Sequence, residues 1–393
     1  MKITKGARIG VTAHESGSKM WSNGLYQNAY HLVNILKSAG YDARPVSENK
    51  QREGKKLLEH EIEYLHPDNI SDYDIVFECV HSLTEAAMAG AKEKGVITAG
   101  IQYGNEYMID VMADSIYKFD KPPRVNKQDR DAIFMSPHFE PSREALSIMY
   151  NLHVGIAPYI WSPDFLFVHE KEEQLLFNKD TDLRKISVME SNLYFVKTAH
   201  IPMLILEHAH RQDPDIWDTA YIIGAKRLND SKGFVRFAKL LSTKGKKMFF
   251  EDRYRFGWLV RRNYAGLIVS HQHHCALNYL QLEAMYLGIP FVHNSDYFKD
   301  CGYYYPEFQA KKGAEQLKLA IETHKDHFEE TRERERKRVY DFHPENSKNI
   351  EGYAQIVEWL LEKRAKENKK SKLFIQGKQK GSVKAKKPRR KLL

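Results

Sequence analysis

The stretch SHQHHCALNYLQLEAMYLGIP, residues 270–290, sets one acid, Glu283, inside an otherwise apolar helical segment. Leu280, Ala284 and Leu287 mark the stripe that such a helix buries, and Glu283 borders it. A carboxylate in that position needs donors, because an unpaired buried charge is costly. The two hydroxyls of a ribose would supply them, and a salt bridge or a partly exposed side chain is the alternative. Upstream, YIIGAKRLNDSKGF (residues 221–234) ends an apolar run at Gly224 and follows it with Lys226, Arg227 and Lys232. Three cations beyond a strand suit a diphosphate, since arginine grips phosphate oxygens as a fork and lysine adds a point charge. A solvated basic loop is the other reading.

A second set of groups lies in the amino-terminal half. The first apolar run leads into Thr12-Ala13-His14-Glu15-Ser16-Gly17, where Gly17 and Gly24 allow a ligand close to the backbone. Neither a G-x-G-x-x-G fingerprint nor a Walker loop occurs. Glu106 follows the run VITAGIQYG directly and is the preferred general base, with His14 next and Glu15 beside it. Capping of loops by the same residues is the competing explanation. Trp21, Asn23 and Asp110 are expected on the acceptor side. Asn192 and Lys197, at the expected start of the helix NLYFVKTAHIPMLILEHAHR, join His271, His273, Asn278 and Gly17 as candidate donor contacts. Adjacent histidines such as HQHH (271–274) seldom converge on one ion, and the D-x-D pairs at 129–131 and 213–215 lie in polar connecting sequence, so no metal site is expected.

Strands must carry these loops. Apolar runs at 7–14, 72–80, 96–104 and 154–161 alternate with helical patterns, and the alternation restarts after the polar stretch 168–185. The expectation is an α/β chain of two doubly wound, Rossmann-like domains facing a cleft, divided as 1–180 and 181–368. Ligands then sit outside the carboxyl ends of the strands. With 393 residues and 42% hydrophobic content the chain can fill two such cores. No apolar run reaches eighteen residues and the start has no apolar leader, so a cytoplasmic protein is expected. Cys79, Cys275 and Cys301 are far apart and odd in number, which fits reduced thiols. The net charge of +9 belongs to residues 369–393, which hold eleven Lys and Arg and no acid. That segment is expected to be a flexible tail that grips a polyanion, either nucleic acid or an anionic membrane face.

The order strand, GAKRLNDSKGF, strand, SHQHHCALNYLQLEAMYLGIPFVHNS resembles the nucleotide-binding half of GT-B glycosyltransferases. In those enzymes a G-R-x-x-x-x-K-G-like loop holds the diphosphate and an E-A-M-x-x-G-x-P segment holds the ribose. The resemblance implies Glu283 as the ribose acid, and Arg227 with Lys232 as the diphosphate cations. Cys275 stands where many retaining members carry a further acid. WSNGLYQNAYHLVNILKSAGY, ESNLYFVKTAHIPMLILE and GYYYPEF are similar to an uncharacterised glycosyltransferase-like family of bacteria and phages. The resemblance implies a hexosyl- or pentosyltransferase with a nucleotide sugar, UDP-linked by preference, as co-substrate and no required cofactor. A hydroxymethylated base in DNA is the favoured acceptor. A glycan or lipid-linked acceptor at a membrane face, and a binding module without catalysis, are the alternatives.

Overall fold

The computed structural model describes residues 6–14, 20, 21, 24–112 and 129–383, with side chains through residue 369. The chain opens with β1 (Arg8–Thr12), α1 (Gly24–Ser38) and β2 (Asp42–Ser47). A small antiparallel pair, β3 (Lys56–Leu57) and β4 (His60–Glu61), precedes β5 (Glu63–Tyr64). Then come β6 (Ile75–Glu78), α2 (Glu85–Lys94), β7 (Ile97–Gln102), α3 (Glu106–Met112), β8 (Ala132–Met135), α4 (Arg143–Tyr150) and β9 (Val154–Ile156). Seven of these strands form a parallel sheet in the order β5-β2-β1-β6-β7-β8-β9. Every residue of β6, β7 and β8 is buried, which is why their sequences read as largely apolar runs, with Glu78, Thr98 and Gln102 as buried polar exceptions.

The second sheet comprises β10 (Lys185–Val188), β11 (Thr219–Ile223), β12 (Met248–Glu251), β13 (Leu267–Val269), β14 (Phe291–His293) and β15 (Tyr303–Tyr304). Helices α5 (His200–Gln212), α6 (Lys232–Ala238), α7 (Phe256–Arg261) and α8 (Tyr279–Leu287) separate them, and α9 (Ala310–Tyr340) follows. The order is β12-β11-β10-β13-β14-β15, again parallel throughout. Both sheets therefore reverse their winding at one point, between β1 and β6 in the first and between β10 and β13 in the second. Loops leaving adjacent strands in opposite directions open a crevice there.

The Gly-Ile-Pro after α8 is a stop signal with a clear mechanism. Asn278 caps the helix by accepting from Leu280 N, and Gly288 ends it at φ +73° with bonds to the carbonyls of Ala284 and Met285. A Cβ at Gly288 would also lie 2.9 Å from the Arg332 side chain of α9.

The last helix is placed differently from the expected division. Helix α10 (Ser347–Val383) returns to the first lobe, where Tyr353, Val357 and Leu360 pack with Ile9, Leu32 and Leu36. Lys363 and Arg364 bind the carbonyl and carboxylate of Asp131 at 2.6 and 2.8 Å. The terminal helices thus do not all belong with residues 181–368. An apolar stripe shows that a helix is buried without naming its partner. The helical backbone of α10 is described as far as Val383. Among the described residues no helix is long and apolar enough to cross a membrane.

Candidate functional site

A cleft of about 1090 Å³ separates the lobes, and both crevices open into it. Its second-lobe wall is built from the loops after β10, β11 and β12 and from the first turns of α8. Its first-lobe wall comes from the start of α1, the loops after β6 and β7, and the start of α3. Hydrogen bonds close the floor between the lobes. Tyr279 donates to Asn28 and to the Ile160 carbonyl (2.7 Å), and Asn105 Nδ2 donates to the His274 carbonyl (2.8 Å).

Glu283 lines the second-lobe wall and accepts no hydrogen bond from any described residue. Burial pushes its carboxyl up to about 7, and the Arg253 guanidinium pulls the other way. Lys197, Lys226, Arg227 and Arg253 line the same wall. Lys226 pairs with Asp252 at 2.6 Å. Arg227 Nη2 donates to the carbonyls of Ser191 (3.1 Å) and Asn192 (2.6 Å), so it braces the loop after β10. At the root of that loop Glu190 is fully enclosed. It accepts from Ser270 Oγ (2.7 Å), His271 N (3.0 Å) and Gln272 Nε2 (2.7 Å). Burial raises its carboxyl to about 7 despite these donors and the nearby Lys197.

The first-lobe wall has a different character. Glu106 opens α3 and accepts from Gln102 Nε2 at 3.0 Å. His14 stacks on His81, with ring centroids 4.5 Å apart and planes 9° from parallel. His81 lines the cleft with both ring nitrogens unpartnered among the described residues, and burial, with His14 and Arg52 nearby, pulls it down to about 4. The Glu78 carboxylate is buried against the Arg130 guanidinium, which also donates to Ser82 Oγ at 3.1 Å. Burial draws Arg130 down to about 10.

Of the residues expected from sequence, Glu283, Lys226, Arg227, Lys197, Asn278, Glu106 and Trp21 line the cleft, and His14 backs it through His81. Glu15, Gly17 and Asn23 lie outside the described residues. Others are held elsewhere. Lys232 opens α6 and does not reach the cleft wall. Asn192 sits at φ +53° and closes its own turn, donating to Glu190 O (2.8 Å) and accepting from Ala199 N (2.9 Å). The helix expected from Asn192 begins only at His200, because that turn precedes it. His271 is buried with Nδ1 bonded to the Tyr305 hydroxyl at 3.0 Å, and His273 packs between Phe195 and Phe308. Asp110 is buried, 3.4 Å from the Tyr150 hydroxyl. Asp129 and Asp131 bind Lys92 and Arg364, and Asp213 accepts from Asp215 N. Among the described residues no cluster of three or more His, Cys, Asp and Glu could hold a metal ion.

Sequence reasoning missed Glu190, His81, Arg253 and the Glu78–Arg130 pair. The signal was available for Glu190 and His81, which immediately follow apolar strand runs. Arg253 and Arg130 reach the cleft only through tertiary placement.

The architecture has relatives among solved structures. An alpha-glucosyltransferase in complex with UDP and a 13-mer DNA containing an HMU base superposes with a TM-score of 0.56 at 12% identity, covering 91% of this chain and 100% of that one. Anabaena Alr3699/HepE, in complex with UDP and glucose, gives 0.57 at 13% identity over 90% and 99% of the two chains. A glycosyltransferase from Rickettsia africae ESF-5 gives 0.56 at 12% identity over 91% and 99%. Identities this low establish the fold, which is GT-B: two Rossmann-like lobes around a cleft. None of the curated proteins matches the chain. Residues 8–357 match the family described as "Protein of unknown function (DUF2827)", and with most of its length so matched the chain belongs to that family.

Proposed function

We propose that this protein is a glycosyltransferase that moves a sugar from a UDP-linked donor to an acceptor hydroxyl, with a hydroxymethylated base in DNA as the favoured acceptor. The observation that carries the reading is Glu283, a cleft carboxylate without a hydrogen-bond donor among the described residues, on a wall that also holds Lys197, Arg227 and Arg253. That pairing of an acid for a diol with cations for a diphosphate is what a nucleotide sugar demands.

The winding order refines the assignment. The crevice lies between β10 and β13, so the loop after β10 is closest to the ligand. Lys197 on that loop takes the diphosphate in place of Lys232, and Arg227 holds the loop in shape. Glu106 on the opposite wall takes the acceptor proton. As the acceptor oxygen bonds to the anomeric carbon, the bond from that carbon to the phosphate oxygen breaks, and UDP departs with its new charge met by the fixed cations.

Solved neighbours bound to UDP support the donor class, and the one bound to modified DNA supports the acceptor. The acid-free basic segment 369–393 supports a polyanionic partner. The test is incubation of the full chain with radiolabelled nucleotide sugars and duplex DNA containing 5-hydroxymethylpyrimidine, alongside anionic and neutral vesicles bearing a lipid-linked alcohol. Label in DNA is the expected result. Label only in the vesicle fraction replaces DNA with a membrane acceptor, and no heat on calorimetric titration with any nucleotide sugar refutes the donor assignment.

A further inference from the structure

The cleft continues over the face of the first sheet, and there its polar groups are arranged for a ligand that the donor does not account for. Gly100 and Gln102 are two residues apart on β7 and so share one face of the sheet. Glu78 pairs in register with Gly100 from β6. Arg130, at the start of β8's approach, lies across Gly100 to reach Glu78; its Cδ and Nη1 would stand 3.6 Å from a Cβ at residue 100. Its Nε is taken by Glu78 and its Nη2 by Ser82, while Nη1 has no hydrogen bond to any described residue. Gln102 is 3% exposed, its Nε2 is committed to Glu106, and its Oε1 is buried without a partner among the described residues. All five side-chain positions (Glu78, Ser82, Gln102, Glu106 and Arg130) line the cavity.

A buried amide oxygen without a donor among the described residues costs stability unless something completes it, and the guanidinium lining the same cavity leaves both N–H groups of Nη1 without a described acceptor. The complement is a planar group that offers a donor and an acceptor along one edge. We propose that this pocket holds the acceptor as an unstacked pyrimidine nucleobase, with its edge read by Arg130 Nη1 and Gln102 Oε1. Its hydroxymethyl group then points to Glu106. The inference rests on the reading of the cleft as a glycosyltransferase site with a DNA acceptor, and it names the specificity residues. The ion pair with Glu78 fixes the guanidinium plane, and the Gln102–Glu106 hydrogen bond ties base recognition to proton removal. A base can enter only once it leaves the helical stack, which is easier for single strands and mismatches.

The experiment compares two acceptors for wild type, Gln102→Met and Arg130→Lys: a single-stranded oligonucleotide carrying one 5-hydroxymethylpyrimidine, and a simple alcohol such as benzyl alcohol. A site built to hydrogen-bond its substrate discriminates strongly against loss of that bond. The expected result is a fall of about tenfold or more in kcat/KM for the oligonucleotide relative to the alcohol in Gln102→Met, with an unchanged Kd for UDP. An equal loss with both acceptors would mean that Gln102 merely positions Glu106, and it overturns the proposal. So does unchanged selectivity. Arg130→Lys keeps the charge opposite Glu78 but loses the fork, and is expected to show the same selective loss if it folds. Wild type that transfers to benzyl alcohol or binds UDP, yet neither binds nor modifies the oligonucleotide, sinks the nucleobase pocket while the donor reading stands. Absence of any UDP binding would instead sink the donor reading itself.

Discussion

The two lobes are wound in the same order, three strands one way and the remainder the other, yet they present opposite chemistry to the shared cleft. The second-lobe wall carries Lys197, Lys226, Arg227 and Arg253 with three acids, Glu190, Asp252 and Glu283, of which Asp252 pairs with Lys226. The first-lobe wall balances its charges internally, with Glu78 on Arg130, and adds the stacked His14–His81 pair and Glu106. A doubly wound sheet therefore dictates where a pocket opens, while the loops decide what it takes. In the proposed function one wall holds the diphosphate and the other deprotonates the alcohol.

The sharpest way to break this division is to remove the proposed base. Glu106→Gln is expected to lower kcat by two to four orders of magnitude, roughly the contribution of general-base catalysis, with the Kd for UDP unchanged. Weaker UDP binding in that variant would mean that the walls do not divide the labour. On the other wall, Lys197→Ala removes the proposed charge-assisted contact and is expected to weaken UDP binding by about one to two orders of magnitude, as read by calorimetry. Lys232→Ala, as a control on α6, is expected to leave it unaltered.

The Glu283 comparison concerns pH. Its carboxyl is raised to about 7 in the folded protein, so it is partly protonated near neutrality and accepts hydroxyl hydrogen bonds fully only above that point. Affinity for UDP is expected to rise severalfold between pH 6 and 8 in wild type and to stay flat in Glu283→Gln. Stability runs the opposite way. A raised acid pKa means that the folded state keeps a proton that the unfolded chain has lost, so Glu283 costs stability as pH climbs from about 4.5 to about 7. Glu190 adds a change of the same sign in the same window, so thermal melts of Glu283→Gln should flatten only part of the slope. The smallest effect is expected at Arg227. It touches loop carbonyls, so Arg227→Ala should reduce UDP affinity by only a few-fold, and a loss as large as that at Lys197 would make it a direct phosphate ligand.

Much of this was legible in the chain. The buried strands β6 and β7 announced themselves as apolar runs, and the E-A-M-x-x-G-x-P segment placed Glu283 on a helix that breaks at Gly-Ile-Pro, whereas the cap at Asn278 emerged only in the structure. Local signals were less reliable about direction. Asn192 reads as the start of a helix because apolar residues follow at helical spacing, but its left-handed backbone closes a turn that delays the helix to His200. The histidines 271 and 273 look like ligands by type, yet Tyr305 and two phenylalanines claim them.

What the sequence determined by itself was the alternation of strands and helices, and hence two doubly wound sheets with chemistry at their carboxyl edges. Periodicity and caps act within a few residues and need no distant partner to be read. The tertiary structure alone decided which loops meet. The winding order brought residues 189–199 rather than residue 232 to the crevice, sent α10 back onto the first lobe, and laid Arg130 across Gly100 onto Glu78. Those contacts join residues far apart in the chain, and their energy comes from burial and charge pairing that exist only once the sheets have formed.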